Sequence, residues 1–425
     1  MTIPGEKALN KINKLLQEGT IDEFKKKIAP EDTESTPLPD DIPGLRCWNQ
    51  DACQKRINLI EKKTSTKIDY LTGKKQFSNP ETLKGNIEHY IGMTQVPTGI
   101  IGPLRVNGSR AKGDYYIPLA TSEGALIASY NRGAKAISLS GGASSICLSE
   151  AIQRTPLFKF KNFSETAEFT LWVMANIEKY REIIATITSH GKLEDVKPNI
   201  EGNQITLVFE FTTGDASGQN MITICTDAIC KYIIKNTPVK PQFWLVESNL
   251  SGDKKASAIS LSSVRGKKVT AEALLAGKIV EKYLNTTTEN IFEAWKAAIV
   301  NGIQSGSIGV NFHVANCLTA IFLACGQDVA TVSEASIGIT RFDLNSDGDL
   351  YISVTLPNLI VGTVGGGTYL PTMTECLNII GCYGTGKAIK FAEICAAVAL
   401  CGEISICASI ASGDFARAHT LFGRK

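Results

Sequence analysis

Leu193-Glu-Asp-Val-Lys-Pro-Asn-Ile-Glu-Gly-Asn-Gln-Ile-Thr-Leu-Val-Phe-Glu-Phe-Thr212 decides how the middle of the chain folds. Two β-prone runs, 193–200 and 204–212, flank Glu201-Gly-Asn203, which is the signature of a hairpin. Outward from it, the pattern predicts a strand at 157–160, a helix over 165–186, a second helix over 220–235 and a last strand at 242–246. That order, β-α-β-β-α-β, is the split βαβ (ferredoxin-like) arrangement, and it reads as a domain of residues 156–245 inserted into a larger one.

On both sides of the insert, glycine-punctuated strands and long apolar helices resume. The predicted fold class is therefore mixed α+β. A large helix-rich domain is assembled from two segments, 86–155 and 257–425, around a long central helix, and 246–256 is a connecting loop. Residues 1–85 are Lys-rich and polar, with a Pro/Asp/Glu-rich break from Pro30 to Pro43, and are expected to form a small helical N-terminal domain.

Composition excludes several classes. Basic and acidic residues nearly balance, 44 against 42, so no bulk field recruits nucleic acid or an anionic membrane. The apolar run 391–412 carries Glu393 and Glu403 and reads as a buried helix rather than a membrane span. The first residues lack the apolar core of a secretory signal, and a cytoplasmic location is expected. Twelve cysteines include no CxxC pair, and several lie in apolar runs, as small core residues of a reducing compartment do. With four histidines, no metal site is expected. Asp343-Leu-Asn-Ser-Asp-Gly-Asp349 imitates a calcium loop, but Val354 stands where the bidentate Glu belongs, so a hairpin turn is expected.

Chemistry concentrates at a few points. Glu123 lies among small and apolar residues in Thr121-Ser-Glu-Gly124 and is expected to be partly buried, a setting in which a carboxyl can donate a proton. Ser129, Arg132 and Lys135 follow at three-residue spacing and share one helix face suited to phosphates. The alternative is a carboxylate favoured by the helix dipole beside an ordinary solvated face. Asp253-Lys-Lys255 offers a lysine able to neutralise a developing oxyanion. Asp328 follows an apolar helix that carries Asn316, and either caps the next turn or holds a charged network. His419, six residues from the C-terminus, is either an inert terminal histidine or a general acid. Gly362-Thr-Val-Gly-Gly-Gly-Thr368 serves either to cradle phosphates or to allow close helix packing.

Further stretches are Gln95-Val-Pro-Thr-Gly-Ile-Ile-Gly-Pro103, Asn131-Arg-Gly133, Gly141-Gly-Ala-Ser-Ser145, Gly214-Asp-Ala-Ser-Gly-Gln-Asn-Met221 and Ala324-Cys-Gly-Gln-Asp328. In order and spacing they closely resemble the hydroxymethylglutaryl-coenzyme A (HMG-CoA) reductase family in its class I soluble catalytic form, from about Asn86 to the C-terminus.

The resemblance implies reduction of the HMG-CoA thioester by two hydrides, from two NADPH, through mevaldehyde to mevalonate and free CoA, in isoprenoid biosynthesis. NADH is the alternative cofactor. By position, Lys254 matches the oxyanion-stabilising lysine, Glu123 the acid that protonates the product oxygen, Asp328 the carboxylate linking the two, and His419 the proton donor to the CoA thiolate. Ser129, Asn131, Arg132 and Lys135 match the CoA-binding stretch. Arg154, Asp253, Lys255, His313 and Asn316 match groups at the acid end of the substrate. Asp215, Ala216, Ser217, Gly218, Gln219, Asn220 and Met221 match the cofactor loop, while Thr188, Ser189 and Arg424 face the 2′-phosphate. A homodimer or dimer of dimers with interfacial active sites is also implied. A different CoA-thioester enzyme, such as an acyl transferase, would instead need an activated Cys or Ser.

Some positions depart from the family pattern. Lys135 replaces a usual Arg, Glu247 stands in place of a Ser, Asn285 in place of a Lys, and Thr188-Ser189 in place of a Ser-Arg pair. Lys296 aligns only approximately with the family's carboxylate-binding lysine.

Overall fold

The computed structural model describes residues 19–423, together with residues 9 and 13. After α1 (Ile21–Ile28) and α2 (Gln50–Thr64), β1 (Thr98–Gly108) and β2 (Lys112–Ala120) form an antiparallel hairpin, and α3 (Leu126–Leu139) leads into β3 (Ala143–Arg154). The insert follows as β4 (Leu157–Lys159), α4 (Phe163–Ala175), α5 (Ile177–Ile187), β5 (Lys192–Glu201), β6 (Gln204–Thr212), α6 (Gln219–Asn236) and β7 (Phe243–Leu245). The chain then runs through β8 (Gly266–Leu275), α7 (Gly277–Leu284), α8 (Thr288–Gln304), α9 (Val314–Cys325), β9 (Ile339–Leu344) and β10 (Leu350–Leu359). It finishes with α10 (Pro371–Ile379), α11 (Ala388–Ala411) and α12 (Phe415–Gly423).

The hairpin expected around Glu201-Gly-Asn203 is present, with β5 and β6 antiparallel and closed by the Glu201–Gln204 pair. On β6, Ile205, Leu207, Phe209 and Phe211 alternate into a core. Against them α6 buries Ile222, Cys225, Ile229, Cys230 and Ile233, a helical spacing, and α4 adds Phe169 packed 4.7 Å from the Phe160 ring. The helix expected over 165–186 is two helices. At Asn176 the side-chain amide donates to the Trp172 carbonyl at 2.8 Å, competing with the backbone ladder where φ and ψ leave the helical region.

The strand order is β7-β4-β6-β3-β8-β10-β9, with β5 beside β6 and the β1/β2 hairpin beside β3. One strand joins the two halves: β3 pairs with β8 from Ser144 to Ala151, and with β6 from Ile152 to Arg154. The insert thus continues the main sheet, and the loop after β7 returns beside the end of β3. The β9/β10 pair confirms Asp343–Asp349 as a hairpin turn, in which Asn345 Oδ1 accepts from Asp347 N and Asp349 N.

Helix α11 is the expected central helix, enclosed along nearly its whole length. It is long and apolar enough to cross a membrane, yet 83% of its apolar window is buried in protein. Its two carboxylates are satisfied by backbone donors: Glu393 accepts from Arg110 N and Ala111 N, and Glu403 from Phe312 N and His313 N. Gly133 lets α3 cross it, since a Cβ there would sit 1.9 Å from the Cys401 carbonyl oxygen.

The N-terminal segment lies directly on this body. Ile60 and Ile68 share a cluster with Tyr116 of β2 and Ile379 of α10, and Glu375 accepts from Tyr70 N and Leu71 N at 2.9 and 2.8 Å.

Candidate functional site

Two constellations form at opposite ends of α9. At its C-terminal end, Lys254 Nζ donates to Asp328 Oδ2 at 2.9 Å. Lys254 adopts φ 55°, a left-handed conformation that costs a non-glycine residue about 1 kcal/mol or more, and it stays there because its neighbours fix it. Asp328 performs both roles open to it from sequence: Oδ1 caps the following turn through Ala330 N at 3.1 Å, while Oδ2 holds Lys254 and accepts from Gln219 Nε2 at 3.3 Å.

The preceding residue, Asp253, is held by two buried arginines. Arg154 reaches its Oδ2 at 3.0 Å, and Arg265 donates to its Oδ1. Lys255 turns back to Asn249 Oδ1 and the Asp253 carbonyl. Glu247 points into its own loop, accepting from Thr155 Oγ1 at 2.6 Å, Asn249 N at 2.8 Å and Ser251 Oγ at 3.1 Å. Its charge serves hydrogen bonds to Thr155 and to its own loop, with Arg154 Nη1 at 3.8 Å.

At the N-terminal end of α9, Asn316 Nδ2 donates to Glu123 Oε2 at 3.0 Å. Glu123 is exposed rather than partly buried, because α3 begins only at Leu126 and the carboxylate stands in the turn before it. Beside it opens a cleft of about 680 Å³ lined by Ser129, Arg132, Lys135, His313 and His419, among others. His313 stacks on Tyr130 with centroids 5.3 Å apart, its Nδ1 3.4 Å from Glu403. His419 is exposed on α12, edge-on to Phe415.

The expected phosphate-binding face is already engaged. Ser129 Oγ bonds to Ser405 Oγ, Arg132 donates to the Ser405 carbonyl at 2.6 Å, and Lys135 pairs with Asp41 at 2.7 Å. Asn131 points elsewhere, accepting from Gly102 N at 2.9 Å.

Glu123 does not reach Lys254 or Asp328 within one chain. It bonds Asn316 near the start of α9 and Asp328 stands beyond the end, and the rise from Asn316 to Cys325 at 1.5 Å per residue is about 14 Å. The joint network expected of Glu123, Lys254 and Asp328 is therefore present as two halves.

The loop 214–221 leads from β6 into α6. Gly218, at φ 76°, forms the N-cap, and a Cβ there would strike the Thr213 side chain. No side chain caps α6, so the N–H groups of its first turn have no side-chain cap. Thr188 ends α5 alongside, its hydroxyl 3.1 Å from the Met221 sulfur, with Ser189 exposed next to it. Asp215 faces the body of the protein, capping α11 through Gly386 N at 2.7 Å and Ala388 N at 3.0 Å. Gly362 presses on this loop, where a Cβ would lie 2.7 Å from Ser217 N, and of the triple glycine Gly367 is also tightly packed, a Cβ there lying 2.8 Å from the Gly326 carbonyl oxygen.

The Hydroxymethylglutaryl-coenzyme A reductase family model matches residues 52–424. The chain belongs to the HMG-CoA reductase family. The 3-hydroxy-3-methylglutaryl-coenzyme A reductase of Pyrococcus abyssi is 44% identical over 380 residues, covering 88% of this chain and 93% of that protein. The Aeropyrum pernix reductase is 47% identical over 345 residues, covering 80% and 82%. In fold, the chain resembles the class II reductase from Streptococcus pneumoniae bound to NADPH in open conformations, with TM-score 0.69 and 17% identity, over 86% of this chain and 99% of that one. As a member of this family the protein is an oxidoreductase that reduces HMG-CoA to mevalonate.

Within the HMG-CoA reductase framework, two departures are structurally plain. Lys296 lies on α8, paired with Glu293 and over the Phe292 ring at 4.8 Å. Asn285 ends α7 at φ 57°, where asparagine is favoured, and donates toward Asp414. Arg424 lies outside the described residues. The residues that sequence reasoning missed are Arg265, Glu334 and Asp41. A charge among small residues in Val332-Ser-Glu-Ala-Ser336 is the same signal that marked Glu393 and Glu403, and it points to Glu334. Asp41 carries no such signal in a polar segment.

Proposed function

We propose that the chain carries out both reductions of HMG-CoA with two NADPH, through mevaldehyde, at a site completed by two copies. The observation that carries this reading is the division of the catalytic groups between the two ends of α9. Lys254 and Asp328 sit beside the cofactor loop, whereas Glu123 and His419 sit on the CoA cleft. A second copy placing its Glu123 end against the Lys254 end would complete the site.

The residues present fit a dinucleotide. The uncapped start of α6 meets a pyrophosphate, and Thr188 and Ser189 stand alongside for the ribose end. Two successively bound reduced nicotinamides would each supply one hydride, the first for the thioester carbonyl and the second for the aldehyde. Lys254 stabilises the oxyanion formed at each stage. His419 protonates the CoA sulfur as the C–S bond breaks, and Glu123 protonates the alcohol oxygen. Two hydrides and two protons account for the four-electron reduction.

An acyl transfer reading has less support. Burial pushes the thiols of Cys317, Cys325 and Cys395 far above their ordinary value, and His313 and His419 contact Tyr130 and Phe415. Loss of reduced-nicotinamide absorbance with HMG-CoA tests the function, with two cofactors consumed per CoA released. One per CoA, with aldehyde accumulating, overturns the two-step reading. Cofactor choice is tested by Arg424→Ala, which should lower the NADPH to NADH ratio of kcat/KM; an unchanged ratio removes Arg424 from that role.

A further inference from the structure

The Lys254 end contains a closed circuit of side chains. Lys254 bonds to Asp328, Asp328 accepts from Gln219 Nε2, Gln219 Oε1 accepts from Arg265 Nη2 at 3.3 Å, and the same Nη2 donates to Asp253, the residue before Lys254. Arg265 is the hub. It is 1% exposed, and it also donates through Nη1 to the Gln153 carbonyl at 3.0 Å and through Nε to Glu334 Oε2 at 2.8 Å.

Glu334 is wholly buried, in a short helical turn six residues after Asp328. One segment thus grips the Asp253-Lys254 dipeptide twice, directly through Asp328 and indirectly through Glu334 and Arg265. The Glu334 Oε1 atom is buried without a hydrogen-bond partner, an expensive arrangement for a group that only fills space.

We propose that Glu334 is a positioning residue for the reduction: through Arg265 it fixes Asp253, and with it the strained Lys254, against the first turn of the helix that receives the cofactor. This rests on the reading of Lys254 as the oxyanion-stabilising group. With Glu334 ionised, the Arg265 fork is shared between two carboxylates and the Gln219 amide. With Glu334 protonated, only Asp253 retains the full ionic attraction, and the guanidinium is drawn off the geometry that keeps Lys254 at φ 55°.

The groups facing Glu334 are Arg265, Asp253 and the backbone of Lys254, with Arg154, Glu247, Asp328 and the Lys254 ammonium one contact further out. Burial is the main influence on Glu334 and outweighs the attraction of Arg265, so its carboxyl is pushed up to about 7. Glu334 therefore gives up its active, ionised form as pH falls. Comparing the acid limb of the full chain with that of Glu334→Gln isolates this group.

The experiment measures kcat and KM against pH for the full chain and for Glu334→Gln, Arg265→Lys and Lys254→Met, with thermal melts alongside. Glu334→Gln should lower kcat by about 10- to 100-fold, the scale of a small misplacement of a reacting group, while HMG-CoA KM moves far less and the acid limb disappears. Arg265→Lys keeps both charges but loses the fork, so it should lower kcat and retain the acid limb, which keeps the test decisive if Glu334→Gln does not fold. An unchanged acid limb in Glu334→Gln overturns the proposal. So does a loss of activity that follows only the melting temperature in both variants. If Lys254→Met retains activity, the underlying reading of Lys254 fails instead.

Discussion

The two ends of α9 are built on opposite principles. At its C-terminal end Asp253, Asp328 and Gln219 each bond at least two other residues, and the buried Arg265 ties the loop after β7 to the sheet and to α6. At its N-terminal end Glu123 is exposed and is met by the Asn316 amide at 3.0 Å, beside an open cleft. The difference follows the chemistry assigned to each. A cation that must face a developing oxyanion gains from preorganisation, because reorganisation during the reaction is avoided. On the proposed reading, a proton donor at the edge of a cleft would instead be enclosed by substrate and a second copy.

The largest effect tests whether the two ends act together across copies. Lys254→Met should reduce kcat by about 10²- to 10³-fold, the range for removing one oxyanion partner. Glu123→Gln should also be severely impaired. Mixing and reassociating the two inactive variants should restore roughly a quarter of the wild-type activity, since half of randomly formed dimers contain one intact site of two. No recovery in a mixture shown to exchange subunits breaks the comparison, because both ends would then serve one chain.

The rigid end should also betray itself in stability. Between the ordinary carboxyl value of 4.5 and about 7, Glu334 keeps its proton in the folded chain and loses it in the unfolded one. The folded state then binds more protons, so this group's contribution falls by up to about 3 kcal/mol as pH rises through that window, and is level above it. Denaturant melts across this range should show a shallower decline in Glu334→Gln. Equal slopes in both proteins would mean that Glu334 is ionised throughout, and that the active form carries no stability cost.

Much of this was legible in the sequence where a single local rule operates. The Glu201-Gly-Asn203 turn fixed the hairpin register, and periodicity gave the helices, apart from the break at Asn176, where a side chain competing for a carbonyl has no apolar signature. Lys254 and Asp328 were legible as site residues, and the structure pairs them. Their separation from Glu123 was not, because it depends on the length of α9 as a spacer. Arg265 was invisible for a related reason. Its role comes from four partners spread between Gln153 and Glu334, and nothing next to Arg265 in the chain indicates that they meet.

The open end predicts smaller effects. Asn316→Leu removes the hydrogen bond to Glu123 and should lower kcat by about tenfold, the scale of one bond to a charged group, with little change in melting temperature. A change in stability equal to the change in activity would make Asn316 a structural residue and the open end as rigid as the other.

The smallest effect concerns Lys135, which is paired with Asp41 at 2.7 Å although it lines the cleft proposed for CoA. The Asp41 carboxylate is largely exposed, so the pair contributes no more than about 1 kcal/mol to stability and is weakened by salt. Asp41→Ala should therefore leave the fold unchanged and release Lys135 toward a phosphate, lowering KM for HMG-CoA by about two- to threefold at low ionic strength. The gain should vanish in high salt, where the wild-type pair is already screened. A rise in KM would show that Asp41 orders the cleft wall instead of competing for its cation. The open end would then share the principle of the closed one, with an ion pair spent on position.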